Sequence, residues 1–246
     1  MKIPVGMPTT PAEVDEPVLR LCRHIVREAL PVYVSVQPES GAKANECFST
    51  VARRVERDAG EQVFGWTIWS TPVMVEAEFH AVWKSPSGDL IDITPKANGE
   101  ARILFVADPS RRYTGRQVNN VRKPVYRNDV LVERFIRVSE QIFEVMNRGD
   151  RADQHGRVSI LAGDIAPLML RKELIGRDIL ARAVTPEGAM CLRAATKTET
   201  MLWPSGGLTT QCSRRAAVRW PGAEAPRRPS CDGVTAVAVR FCECNC

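Results

Sequence analysis

Three features of the chain predict an α+β domain: an amphipathic helix near the start, strand-length apolar runs between residues 62 and 106, and a second amphipathic helix from about 130. Helices therefore bracket a sheet read as antiparallel. The pattern fills residues 1–150, expected to be one α+β domain, and residues 151–246 read as a basic, Cys-containing accessory or weakly ordered extension.

The first helix is expected within 12–30, where Val14, Val18, Leu21, Cys22, Ile25, Val26 and Leu30 recur at helical spacing between Glu13, Arg20, Arg23 and Arg27. Pro31 to Val36 alternates as a short strand, and Gln37 to Ala44 reads as a loop. Asn45 suits the N-cap of the next helix, whose stripe is Phe48, Val51, Ala52 and Val55 and whose stop is Gly60. Cys47 then falls in the first turn. Strands are expected at 62–69, 73–83, 90–94 and 102–106, and 113–126 as an ordered, irregular loop. Asn128-Asp129 can cap a helix that turns Leu131, Val132, Phe135, Ile136, Ile142, Phe143 and Met146 inward. Beyond residue 150 a looser helical pattern covers 158–183, with Leu168, Leu170, Leu174, Ile175, Ile179 and Leu180. Residues 203–231 then gather Pro, Gly, Ser and Arg as an exposed or weakly ordered segment.

Composition sets bounds on function. With 44% apolar and 26% charged residues in 246, the chain is ordinary for a globular protein. Residues 1–150 carry 20 Lys/Arg and 20 Asp/Glu, so the net +5 arises in 151–246, which hold 14 and 9. That excess lacks interleaved aromatics or a nucleic-acid-binding motif, and nucleic acid is not expected as a partner. Six of the eight cysteines lie after residue 190. The opening ten residues contain no signal-like apolar run, and no segment approaches the roughly 18 apolar residues of a membrane span. A cytoplasmic setting with reduced thiols is the expectation.

Cys47, His80 and Asp92 occur in the order and settings of a cysteine-hydrolase triad. A cysteine nucleophile works as a thiolate, and a helix N-terminus favours negative sulfur through its free N–H groups and dipole. The Cys47 N–H could face a developing oxyanion, with Gln37 or Asn45 as the second donor. On the expected strand 73–83, Glu76, Glu78 and His80 share one face and Ala77, Phe79 and Ala81 the other. Asp92 follows across the turn Ser85-Pro86-Ser87-Gly88. A three-residue loop, Pro86 to Gly88, pairs His80 with Thr94 and makes Asp92 its same-face diagonal neighbour, whereas a five-residue loop pairs His80 with Asp92 directly. Either brings the two to roughly 5–8 Å at Cβ. Even-length loops reverse the parity and turn Asp92 away unless a bulge restores it.

His80-Ala81-Val82-Trp83 and Asp92-Ile93-Thr94-Pro95, placed after a Cys at a helix start, resemble the His and Asp signatures of the transglutaminase-like branch of the papain-like cysteine hydrolases, over about residues 37–96. The resemblance implies a papain-like core, with Cys47 as nucleophile, His80 as general base and then acid, and Asp92 as the orienting group. The activity it implies is cysteine-dependent acyl transfer on a peptide or protein substrate. Water as acceptor would give a peptidase, amidase or deamidase, and a lysine amine would give cross-linking.

Other groups weigh less. Trp66, Trp69 and Glu78 could line a substrate groove, although strand tryptophans are more often core. Glu76, Glu78 and His80 lack a fourth ligand and a recognised metal spacing, and the terminal Cys242-Glu-Cys-Asn-Cys246 has no Cys-x-x-Cys pair, so neither metal nor cofactor is expected. The rival to the enzyme is a noncatalytic interaction module of the same architecture, binding a partner or nucleic acid through its basic tail.

Overall fold

The computed structural model describes residues 7–28, 30–153, 157–184 and 236–240. Both helices and strands are present, and five of the strands close into a small barrel.

Helix α1 (Glu16–Ile25) starts where Asp15 accepts the Val18 N–H at 3.1 Å and Pro17 presets the first turn. It is shorter than the expected 12–30. Val26 is already extended, and Leu30, at 78% exposed, has no surface to cover it. Strand β1 (Val32–Val36) leads through a loop to α2 (Cys47–Asp58), in which Cys47 is the first helical residue. The N-cap is Glu46, without a side-chain capping bond, and not Asn45. Asn45 instead takes a left-handed φ of 67°, a conformation that asparagine tolerates, and so turns the chain into the helix.

Strands β2 (Glu61–Ser70) and β3 (Met74–Lys84) form a long hairpin paired from Glu61↔Lys84 to Ser70↔Val75. They are followed by β4 (Leu90–Asp92), β5 (Arg102–Ala107) and β6 (Val121–Pro124). The strand order is β2-β5-β1-β4-β3, and β3 returns to β2 to close the barrel. The sheet is not purely antiparallel as expected, because β1 runs parallel to β4. Strand β6, read from sequence as irregular loop, pairs with Met74–Ala77 of β3. Its Arg-Lys-Pro composition has no strand periodicity, and Pro124 is admissible there because β6 lies at the sheet edge.

The two faces of the sheet bury different things. Outward residues Phe79, Val75, Ala77, Trp66, Leu104 and Val106 pack against Val18, Leu21 and Cys22 of α1. Ala81, Trp83 and Ile93 pack against Val51 of α2. The barrel interior is filled by Val34, Trp69, Val82, Ile103 and Phe105. Alternation along β3 therefore turns Glu78 and His80 inward with Val82.

Helix α3 (Val130–Met146) is capped by Asp129, which accepts the Val132 N–H. The packing continues past residue 150. Strand β7 (Arg157–Leu161) leads into α4 (Ala162–Val184), and β7 pairs with β8 (Ala236–Arg240). Ile160 and Ile165 join Val138, Ile142 and Met146 of α3, while Ile179 joins Val73, Val132 and Ile136. Arg182 of α4 donates to both carboxylate oxygens of Asp129 at 3.0 and 2.6 Å. Leu170 and Leu174, expected to be apolar members of this helix, are 57% and 50% exposed. The segment 203–231 and the terminal cysteines lie outside the described residues.

Gly65 sits opposite His80 in the hairpin, on the barrel's inner face. A Cβ there would lie 2.2 Å from the Val106 carbonyl oxygen and 2.5 Å from the Phe105 ring, so the absent side chain is what lets the ring fill the barrel. Gly65→Ala is expected to cost about 2–4 kcal/mol in urea unfolding. A midpoint equal to wild type would contradict this packing.

Candidate active site

The turn between β3 and β4 fixes the site. Trp83 pairs with Ile91 and Lys84 with Leu90, and the Ser85 N–H donates to the Asp89 carbonyl, so three residues, Pro86 to Gly88, span the turn. Gly88, at φ 97°, supplies the positive dihedral that the loop needs. In this register His80 lies opposite Thr94, with Asp92 diagonal to it on the same face. The odd-length parity on which the Cys-His-Asp reading depended is the one found.

His80 and Asp92 meet inside the protein, with His80 Nε2 at 3.1 Å from Asp92 Oδ2. The other carboxylate oxygen, Oδ1, accepts the Thr94 N–H at 3.0 Å. The loop leaving β1 clamps the same place, since the Gln37 N–H donates to the Asp92 carbonyl at 2.8 Å and the Glu39 N–H to the Ile93 carbonyl. The pairing of β4 with β3 is confined to Trp83–Lys84, and that of β6 to Met74–Ala77. Glu78 to Val82 thus lies between them on the edge of β3 away from β2.

Cys47, on α2, lies close enough to His80 to act on its ring electrostatically. It stands one turn before Val51 on the same helix face, and Val51 packs on Ala81 and Trp83 of β3. The next residue is anchored firmly: the Phe48 ring stacks on Tyr113 at 3.9 Å between centroids and lies 5.5 Å from Phe79, while Gln62 Nε2 donates to the Phe48 carbonyl. These aromatics come from three separate segments, so no local sequence pattern announces them. Cys47, His80 and Asp92 are all essentially excluded from solvent, at 0%, 1% and 0% exposed.

The electrostatics follow from burial and neighbours. Burial, and the Lys96 charge, pull the proton affinity of His80 down, but the Asp92 carboxylate, a negative Cys47 sulfur and the hydrogen bond to Asp92 outweigh them and raise its pKa to about 9. Burial alone would push Asp92 up, yet His80 and Lys96 hold it well below the usual carboxylate range. The thiol of Cys22, in the apolar core under α1, is pushed up to about 11 by burial. The two buried cysteines therefore occupy different electrostatic surroundings.

Sequence reasoning missed Lys96. Its side chain is buried, with Nζ 2.7 Å from Asp92 Oδ2 and 3.3 Å from His80 Nε2. The only signal was its spacing of four from Asp92. The other candidates fall elsewhere. The Gln37 side-chain amide donates to Ser35 Oγ and the residue is exposed, as is Asn45. The backbone N–H groups at the start of α2 are the donors the helix itself offers. Trp66 donates to Asp108 Oδ2 and Trp69 to Glu78 Oε2, and all three expected groove residues, Trp66, Trp69 and Glu78, are buried. They build the barrel and its wall rather than an open groove. Among the described residues no group of three or more His, Cys, Asp and Glu could hold a metal ion, and no helix is long and apolar enough to cross a membrane.

Compared with family models, curated proteins and solved structures, the chain matches none.

Glu78 gives the interior its own pH dependence. Burial raises it from its ordinary 4.5 to about 7, against the opposing hydrogen bond from Trp69 and the charges of His80 and Lys96. The folded protein holds this proton more tightly than the unfolded chain. The resulting stability is full below about pH 4.5 and is lost as pH rises through about 7. Glu78→Gln keeps an acceptor for Trp69 and removes the titration. Relative to wild type it should gain on the order of 2 kcal/mol between pH 4 and pH 8 in denaturant unfolding. A difference independent of pH would refute the assignment.

Proposed function

We propose that the protein is a cysteine-dependent acyl-transfer enzyme with a papain-like, transglutaminase-like arrangement, hydrolysing peptide or amide bonds by a Cys47-His80-Asp92 triad. The observation that carries the reading is the buried His80–Asp92 pair, 3.1 Å apart, facing the electrostatic influence of a cysteine at the first residue of a helix.

The chemistry follows from which ring nitrogen is engaged. Nε2 is directed at Asp92, so Nδ1 takes the proton from the Cys47 thiol. The thiolate attacks the carbonyl carbon of the substrate, and the C=O electron pair moves to oxygen, where the first N–H groups of α2 can receive it. Collapse expels the amine, which takes the proton back from His80 Nδ1 and leaves a thioester on Cys47. Water, deprotonated by His80, attacks that thioester and releases the acid and the thiol. A substrate amine in place of water would give cross-linking by the same steps. A His80 pKa near 9 keeps the imidazolium partner of the thiolate populated at neutral pH.

One observation favours the rival reading of a noncatalytic module: Cys47 and its partners are closed off from solvent. Reactivity separates the two. With peptide mapping of the full chain, iodoacetamide at pH 6–7 should label Cys47 at least about tenfold faster than Cys22, and His80→Ala should abolish the difference. Equal, slow labelling of both cysteines would sink the enzyme reading and leave the module.

A further inference from the structure

We propose that Lys96 is a positioning residue of this site, the standing counter-ion of Asp92 that lets His80 gain and lose its proton without leaving a buried carboxylate uncompensated. The inference deepens the acyl-transfer reading and rests on it for its catalytic meaning.

The geometry carries it. Asp92 Oδ2 is shared by His80 Nε2 at 3.1 Å and Lys96 Nζ at 2.7 Å, and Lys96 Nζ is itself 3.3 Å from that ring nitrogen. The side chains of all three are within 1% of complete burial. A buried carboxylate facing a neutral imidazole lacks a full counter-charge, and a protein interior penalises that state. In a His–Asp pair alone this cost is incurred each time the imidazolium gives its proton to a leaving group. An ammonium held on the same oxygen removes that cost.

The ring's hydrogen bonding points the same way. An Nε2–H can donate to Asp92 but cannot accept from Lys96, so the two basic groups do not exchange a hydrogen bond in the state where the dyad is formed. Lys96 then acts on His80 through charge and through its hold on Asp92. The groups facing His80 are Cys47 from α2, Glu78 on β3 itself, Asp92 at the end of β4 and Lys96 after it. Across the hairpin stands Gly65, with no side chain, and the Phe105 ring beside it is uncharged. Lys96 is thus the one positive group among these besides His80.

The test is an NMR titration of the histidine rings in the full-length chain, with His80 assigned by its loss in His80→Gln. Lys96→Met, close in length and without charge, should move the His80 midpoint to higher pH, by at least about threefold in proton affinity. Lys96→Arg, which keeps the charge, should bring it back towards wild type. A midpoint unmoved in Lys96→Met, or moved to lower pH, overturns the proposal. If neither variant folds, wild type decides: the Lys96 Nζ resonance should shift at the His80 midpoint, and a resonance blind to that titration overturns it. Failure of the enzyme reading looks different, because it appears as Cys47 labelling indifferent to His80→Ala whatever the His80 midpoint does.

Discussion

A single carboxylate deep in a small barrel constrains the rest of this structure. Asp92 could not remain charged there without partners, and it has four: the His80 ring, the Lys96 ammonium, the Thr94 N–H on the side chain, and the Gln37 N–H on its backbone carbonyl. These partners come from three stretches of chain, so satisfying Asp92 fixes β3, the segment after β4 and the loop that feeds α2 relative to one another. That loop delivers Cys47. The geometry of the thiol's surroundings is in this sense a consequence of how a buried anion is satisfied.

Closure of the barrel makes such a polar interior possible. Two long strands, β2 and β3, form one wall, while β1 and β5 carry the return, with β1 parallel to the short β4. Had the sheet stayed open, the inward face holding Glu78, His80 and Asp92 would be wetted and their interactions screened. Inside, Glu78 is held by Trp69 and Asp92 by two cations, and apolar Val34, Val82 and Phe105 fill the remaining space. Thr67 and Thr94 keep hydroxyls without a protein hydrogen-bond partner in this interior.

The local part of this arrangement was legible in the sequence, and the long-range part was not. The stripe Phe48, Val51, Val55 with Gly60 beyond it announces α2 and hence a cysteine in the first turn. Gly88 announces an odd loop, and parity then brings His80 and Asp92 to one face. What escaped depends on partners far along the chain. Glu76, Glu78 and His80 alternate as a solvent face would, and only barrel closure turns Glu78 and His80 inward. Lys96 looks like a surface residue until Asp92 is known to be buried. Strand β6 has no periodicity of its own and exists because β3 offers an edge. Trp66 and Trp69 announce core without saying which side of the sheet each occupies.

The two cysteines of the described core show why burial by itself does not decide whether a thiol is chemical or structural. Cys22 and Cys47 are almost equally hidden, at 1% and 0% exposed. Around Cys22 lie valine, leucine and tryptophan side chains, and removing its proton would leave a charge that burial penalises by more than the nearby backbone and Arg23 offset. Cys47 instead begins a helix and interacts electrostatically with His80, whose Nε2 meets the Asp92 carboxylate and the Lys96 ammonium. Low dielectric strengthens whichever interaction is present, so it penalises a lone thiolate and rewards one that faces a protonated ring. What distinguishes Cys47 is the charged company that Asp92 gathers around His80, so the difference between the two thiols traces back to the compensation of one buried anion.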